Sequence, residues 1–284
     1  MPIILMTAIT MLAFAGNSVL CRMALAGGAI DAASFTAIRL ASGALMLTIL
    51  LLFRAEFRGK GCRSILRTGH WRASGWLCVY ATGFSFAYLD VATATGALIL
   101  FGAVQLTMMM ASILDGERLG IMAWAGYVVA VAGLILLLWP GATAPSLQGV
   151  LIMAVAGMAW GMYSLHGKKS HDPLAQTAGN FILTLPMSAL MLLLPTHHLH
   201  INHAGLLLAI ASGALASGLG YALWYHVVAR INGSVAATVQ LSVPLLAAGG
   251  GVILLQEAMT TRFMVTSIMI LGGIALVSMK RLAG

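Results

Sequence analysis

Few residues in this chain are able to do chemistry, and the most conspicuous are the two acids and the arginine of LDGERL at 114–119. With only seven Asp and Glu in the chain, acids so close together raise the question of a catalytic or proton-carrying carboxylate site. A second cluster, HHLHINH at 197–203, has the ring nitrogens for a transition metal. It has no Asp, Glu or Cys beside it and falls between two apolar runs, so neither a metal site nor a cofactor is expected. Cys21, Cys62 and Cys78 lie at no metal-ligand spacing, and no disulfide is expected. The chain has no HExxH, GxSG or CxxC, and Gly161 to Ser170 misses the phosphate-loop pattern by one residue. A hydrolase inside a membrane needs a nucleophile and a base within reach of each other. Nothing in the sequence points to such a pair, and the chain is expected not to be an enzyme.

These residues are set in an otherwise apolar chain. Hydrophobic residues make up 61% and charged residues 8%, and the mean hydropathy is +0.99. A globule of that composition cannot cover its apolar surface in water, so the chain reads as a polytopic protein of the lipid bilayer. A hydrocarbon core of about 30 Å takes roughly 20 apolar residues per helix. Ten spans follow, near 3–25, 33–53, 73–91, 95–114, 120–139, 147–166, 175–194, 204–226, 234–255 and 262–279. The runs lack the alternation of barrel strands, which makes the fold all-α. An A-x-A at 24–26 resembles a leader cleavage site. The first residues carry no Lys or Arg, however, and Asn17 and Arg22 interrupt the run, so no cleaved leader is expected.

The net charge of +8 does not point to nucleic acid, because the basic residues fall in alternate connections. Twelve of the fifteen Lys and Arg lie on one side: Arg54 to Arg72, Arg118, Lys168, Lys169, Arg230, Lys280 and Arg281. Only Arg22 and Arg262 lie on the other. The positive-inside rule then places both termini in the cytoplasm, in a bacterial plasma membrane.

The chain also reads twice. ASILDGERLG at 111–120 recurs as GVILLQEAMT at 251–260, so Glu117 and Glu257 lie 140 residues apart, as do Gly133 and Gly273. GFSFAYLDVATATG at 83–96 matches GYALWYHVVARING at 220–233, and AFAGNS at 13–18 matches MAWGMY at 158–163. Residues 1–140 and 147–284 thus form two five-helix repeats, and an odd number of spans per repeat inverts the second against the first. Inverted repeats build transporters whose substrate site lies near the midplane between the halves. On this reading Glu117 marks a helix end, where an acid favours the start of the next helix.

Together, the repeats, the Gly-Glu-Arg-Leu end of span four, the Gln-Glu end of span nine, Gly-Asn-Ser in span one, Trp-Gly in span six and Arg39 in span two resemble the drug/metabolite transporter superfamily, in its ten-helix EamA-type branch. That resemblance covers nearly the whole chain and implies a carrier of small organic solutes with a central cavity. The chain departs from the pattern at Ala15, where the family usually has Trp, and at Val104, where it usually has Pro.

Phe84 and Tyr88 are four apart on span three, and their repeat counterparts Tyr221 and Tyr225 are four apart on span eight, so each pair shares a helix face. These faces, with Trp160 and Tyr163 from span six, are expected to wall one substrate cavity. Asn17 and Gln105 are expected to orient the solute, while Asn180 and Gln240 suit helix-to-helix contacts. Arg39, inside span two, has two readings, a hold on a carboxylate or phosphate and a bond to carbonyls at a neighbouring helix end, of which the structural one is favoured. MMMA at 108–111 against AGGG at 248–251, with Pro186 and Pro244 as kinks confined to the second half, makes the halves mechanically unequal. No acid lies in the middle of a span, which favours facilitated diffusion. The expected function is alternating-access transport of an amphipathic or amino-acid-like metabolite. The alternatives are an organophosphate or nucleotide-sugar exchanger of the same fold, or a non-transporting sensor or assembly subunit. A cysteine placed beside Lys60 is expected to label only from the cytoplasm, and one beside His200 only from outside. The reverse pattern in an intact-cell labelling scan overturns the orientation.

Overall fold

A computed structural model describes residues 2–54, 65–114, 116, 120–139, 145–167, 170–193, 199–231, 236 and 239–279. Among them lie ten helices: α1 Ile3–Ala26, α2 Ala32–Leu52, α3 Trp71–Ala87, α4 Thr93–Leu114, α5 Ile121–Leu138, α6 Leu147–Gly167, α7 Pro173–Leu192, α8 His203–Val228, α9 Ser242–Leu255 and α10 Thr261–Met279. Helices α1, α2, α4, α6 and α8 are long and apolar enough to cross a membrane, and α5, α9 and α10 are apolar but shorter. This is a multi-pass, all-helical membrane protein. Asp115 and 117–119 of LDGERL lie outside the described residues, as do His197 and His198 of the histidine run.

Side chains mark the helix starts. Asp31 accepts from Ser34 N at 2.9 Å to open α2, and Asn202 accepts from Gly205 N at 2.8 Å to open α8. Asp172 accepts from Ala175 N at 3.2 Å to open α7, whose first residue is Pro173. Each cap meets an N–H that the first helical turn leaves free. Partial burial pushes the Asp31 carboxyl upward, but its hydrogen bonds from Ser34 and from His200 outweigh that and hold it below its ordinary value.

Two proline positions behave differently. Pro186 sits inside α7. Pro244, expected as a kink within a span, instead lies in the first turn of α9, which begins after Leu241. Proline has no N–H for the carbonyl of Gln240, so the helix is interrupted there rather than bent. In α8 the nine residues Ala211–Leu219 are wound as a π-helix, which no sequence pattern announced.

The packing pairs α1 with α8 and α9, α6 with α3 and α4, α2 with α7 and α8, and α5 with α10. Close approach depends on glycine. At the α5–α10 crossing a Cβ on Gly133 would stand 2.8 Å from Met269 Cβ, and one on Gly273 would run into the carbonyl of Gly126. These two glycines, matched in the sequence at one offset, sit at the same helix crossing. Gly273→Leu is expected to force α5 from α10 and to cost about 1–3 kcal/mol, as overpacking does. Thermal denaturation of the purified protein reads this against Gly249→Ala, where nothing lies within 4 Å, which is expected to be neutral or mildly stabilising.

Candidate substrate cavity

A cavity of about 570 Å³ lies between α4, α6, α8 and the chain leading into α9. It runs from Phe14 and Tyr221 to Gly167, Ser170, Ala229 and Ile231, at the α6–α7 and α8–α9 connections. Its walls are aromatic and thioether-rich. Among the described residues no Asp, Glu, Lys, Arg or His lines it.

The rings are fixed by one another and by hydroxyl contacts. Trp160 lies 4.8 Å from Tyr80, 5.4 Å from Tyr163 and 5.0 Å from Tyr221, centroid to centroid. Phe14 meets Tyr221 at 5.8 Å and Trp224 at 5.9 Å, both edge to face. Thr177 on α7 holds two walls at once, since Tyr163 donates to it at 3.3 Å and it donates to the Tyr225 hydroxyl at 3.0 Å. Asn180 donates to Tyr163 at 3.5 Å and accepts from His70 N at 2.8 Å, so it joins α7 to the start of α3.

Of the residues expected at the site, Gln105, Trp160, Tyr163, Tyr221 and Tyr225 line this cavity together, and Gln240 lines it as well. Asn17, Phe84 and Tyr88 do not. The two aromatic pairs therefore do not wall one space. Phe84 and Tyr88 are buried, 4.8 Å apart, with Tyr88 pressed against Gly96 and donating to the Thr93 carbonyl at 3.4 Å. Helix packing fills the space before them, whereas the space before Tyr221 and Tyr225 stays open. Asn17 lies one layer behind the wall, donating to Tyr80 at 3.5 Å and accepting from Ser212.

Arg39 is 2% exposed and binds no helix-end carbonyl, contrary to the sequence expectation. Its Nη2 donates to the Tyr80 hydroxyl at 2.9 Å, its Nε reaches Ser217 at 3.5 Å, and its guanidinium lies 4.6 Å from the Phe84 ring centroid.

The opposite end of the bundle is tied by polar contacts beside a smaller pocket of about 180 Å³. There the Glu257 carboxylate accepts from Thr93 N at 2.9 and 3.0 Å and from Thr93 Oγ1 at 3.1 Å, and stands 3.4 Å from Arg22 Nε. Arg22 donates through Nη1 to the carbonyls of Tyr88 at 2.7 Å and Leu89 at 2.8 Å. One acid thus caps the positive start of α4 while its partner base covers the carbonyl end of α3. The backbone permits this because Gln256 is left-handed at φ 54° and Gly251 has no side chain where Glu257 lies. At the same end Asp31 N donates to the His200 carbonyl at 2.9 Å, Asn202 N to Ala29 at 2.9 Å, and Arg262 to Trp139 at 2.6 Å. Glu257 thus caps the start of α4, across the bundle, whereas Glu117, for which the sequence suggested a helix-end role, lies outside the described residues. Sequence reasoning missed Arg22, Thr93, Phe14, Trp224 and Tyr127. The signal for the first was an isolated base near the end of one apolar run and an isolated acid at the end of another.

An all-helical membrane protein with a solute-sized internal cavity, tied at one end by a polar clasp, belongs structurally with membrane transporters. The comparisons agree. The sequence profile of the EamA-like transporter family matches residues 147–279, the region of α6 to α10. An uncharacterized protein of Pseudomonas aeruginosa is 50% identical over 279 residues, covering 98% of this chain and 95% of the relative. An uncharacterized transporter of Archaeoglobus fulgidus is 21% identical over 256 residues, covering 87% and 89%. A protein of known crystal structure, 22% identical, superimposes with a TM-score of 0.66 over 98% of this chain and 99% of its own, and so shares the fold. The chain belongs to the EamA-like transporter family, whose members are membrane transporters rather than enzymes.

The clasp makes a direct expectation. Glu257→Gln keeps the shape but removes the charge that holds both Arg22 and the α4 start, so this end should open more often. Ala248→Cys, at a position 2% exposed in the pocket beside Glu257, is expected to react several-fold faster with a small polar thiol reagent in the Glu257→Gln background. Equal rates in both backgrounds mean that the clasp does not govern closure.

Proposed function

We propose that this protein is a secondary transporter of small amphipathic or amino-acid-like metabolites that works by alternating access. The observation that carries the reading is the uncharged aromatic cavity of about 570 Å³, which reaches one end of the bundle while the other end is clasped. That volume suits a metabolite-sized ligand. Flat rings stack on an aromatic or aliphatic solute and attract an ammonium group by cation–π contact. Phosphate-bearing substrates require several cations to offset their charge, and no Lys or Arg among the described residues lines the cavity.

The helix pairing supports an inverted repeat. The contacts of α1 with α8 and α9 have counterparts in those of α6 with α3 and α4, while α2 with α7 and α5 with α10 join equivalent helices. Under that symmetry the two aromatic pairs are equivalent residues in opposite conditions. Tyr221 and Tyr225 face the open half-cavity, and Phe84 and Tyr88 are packed into the closed one. Exchange of those environments is the alternation. With the basic connections in the cytoplasm of a bacterial inner membrane, both termini are cytoplasmic, the cavity faces inward and the Arg22–Glu257 clasp seals the outer side.

In liposomes, counterflow of labelled amino acids and amphipathic amines tests the reading. Trp160→Ala and Tyr225→Ala are each expected to cut transport or binding about tenfold, roughly 1.4 kcal/mol, in protein that still purifies folded. Wild-type rates in both variants would place the site elsewhere.

A further inference from the structure

Arg39 is a permanent cation in the interior of a membrane protein, and no acid among the described residues pairs with it. The described acids are engaged elsewhere or lie at helix ends: Glu257 with Arg22 and Thr93, Asp172 with Arg54, Asp31 at the α2 cap, and Asp90 just beyond the C-terminus of α3. A guanidinium has about five N–H donors in a fixed fork. Here Nη2 is used on the Tyr80 hydroxyl, Nε reaches Ser217 only at 3.5 Å, and Nη1 is buried without a partner. A structural arginine at this depth would place its donors on backbone carbonyls; this one meets hydroxyls and ring faces.

A second feature converges on the same point. The π-helical stretch Ala211–Leu219 of α8 brings Ser217 to Arg39 and Ser212 to Asn17, and a Cβ on Gly213 would collide with the Arg39 carbonyl. Such a stretch is rare and recurs at functional sites. Here it brings the Ser217 hydroxyl toward Arg39 and the Ser212 hydroxyl onto Asn17. Tyr80 links the guanidinium to the cavity, because its hydroxyl accepts from Arg39 and its ring lies 4.8 Å from Trp160, which lines the cavity wall.

We propose that Arg39, with Tyr80 and Asn17, is the anchor for a single carboxylate on the transported solute. The assignment rests on the carrier reading and names the charge its substrate carries. One carboxylate oxygen takes the unmet Nη1–H, and the Tyr80 hydroxyl, whose oxygen accepts from Arg39, donates to the other. The rest of the solute lies against Trp160 and Tyr221. A lone cation neutralises a monoanion and falls short of a phosphate dianion. The Tyr80 and Phe84 ring faces beside the guanidinium screen its charge only partly.

The test uses the full chain in nanodiscs and three probes of matched ring and chain length: 3-phenylpropionate, 3-phenylpropanol and 3-phenylpropylamine. Their affinities are read by ligand-induced thermal shift and tryptophan fluorescence. In the wild type the carboxylate is expected to bind at least about tenfold more tightly than the alcohol, as a charge-assisted pair does. Arg39→Gln should bring that ratio near one while leaving alcohol binding in place, and Arg39→Lys should keep part of the preference. The wild-type ratio and Arg39→Lys decide the matter even where Arg39→Gln does not fold. Equal binding of acid and alcohol by the wild type, preference for the amine, or an undiminished ratio in Arg39→Gln overturns the assignment. Failure of all three probes to bind overturns it as well. The carrier reading is judged separately, by counterflow in the Trp160 and Tyr225 variants.

Discussion

Inside a bilayer, helices gain little by excluding one another from lipid, so their association depends on how closely their backbones approach. This bundle is built on that constraint. Gly157 of α6 lies against Leu100 and Ala103 of α4, Gly213 of α8 against Arg39 of α2, and Gly133 and Gly273 face each other's helices across the α5–α10 crossing. Close backbones hold the perimeter, which allows the centre to be left unfilled. Larger residues fill the space where α4, α6 and α8 diverge, and they are rings and methionines, whose polarisable surfaces tolerate an incompletely occupied space.

The polar groups follow from the same limitation. A hydroxyl or amide in hydrocarbon needs a partner within the protein; here many Ser and Thr hydroxyls donate to carbonyls of their own helix, and a smaller set reaches other helices. Thr36 of α2 donates to Ser85 of α3 at 2.8 Å, and Thr68 before α3 donates to the Ala175 carbonyl of α7 at 2.7 Å. Thr177 of α7 ties Tyr163 of α6 to Tyr225 of α8. Each such bond aligns two helices, and the Thr177 pair does so at the cavity wall. Positions of wall rings are therefore set by α7, a helix that contributes only its first residue, Pro173, to the lining.

Much of this was legible in the sequence. Apolar run length marked most helices to within about four residues, because lipid thickness leaves little freedom in length; the exception is α9, read as 234–255, which begins at Ser242. Recurrence of Gly133 as Gly273 and of Glu117 as Glu257 singled out a crossing and one half of a clasp, because backbone approach and helix ends each demand particular residue types. What stayed hidden depends on tertiary geometry. The π-helical turn of α8 arises where Ser212, Gly213 and Ser217 meet α1 and α2, and nothing in their local sequence requires it. Pro244 looked like a kink because a pattern gives its position in an apolar run but not where that run is already broken. The like spacing of Phe84–Tyr88 and Tyr221–Tyr225 was readable from the sequence; which pair would face open space was not, since that depends on how neighbouring helices pack against each.

Helix packing also bears on how one end is tied. Glu257 reaches the free N–H of Thr93 and the guanidinium of Arg22 at once, so a single carboxylate is shared between the start of α4 and the end of α1. Both partners are about four-fifths buried, deep enough that water screens them poorly and shallow enough that parting them rehydrates both charges. A fully buried pair would leave an isolated ion on opening, at a cost of several kcal/mol, and a surface pair would contribute too little to hold the helices together. Partial burial lies between these limits. It yields a contact that ties α1, α4 and the chain after α9 together while leaving both charges within reach of water.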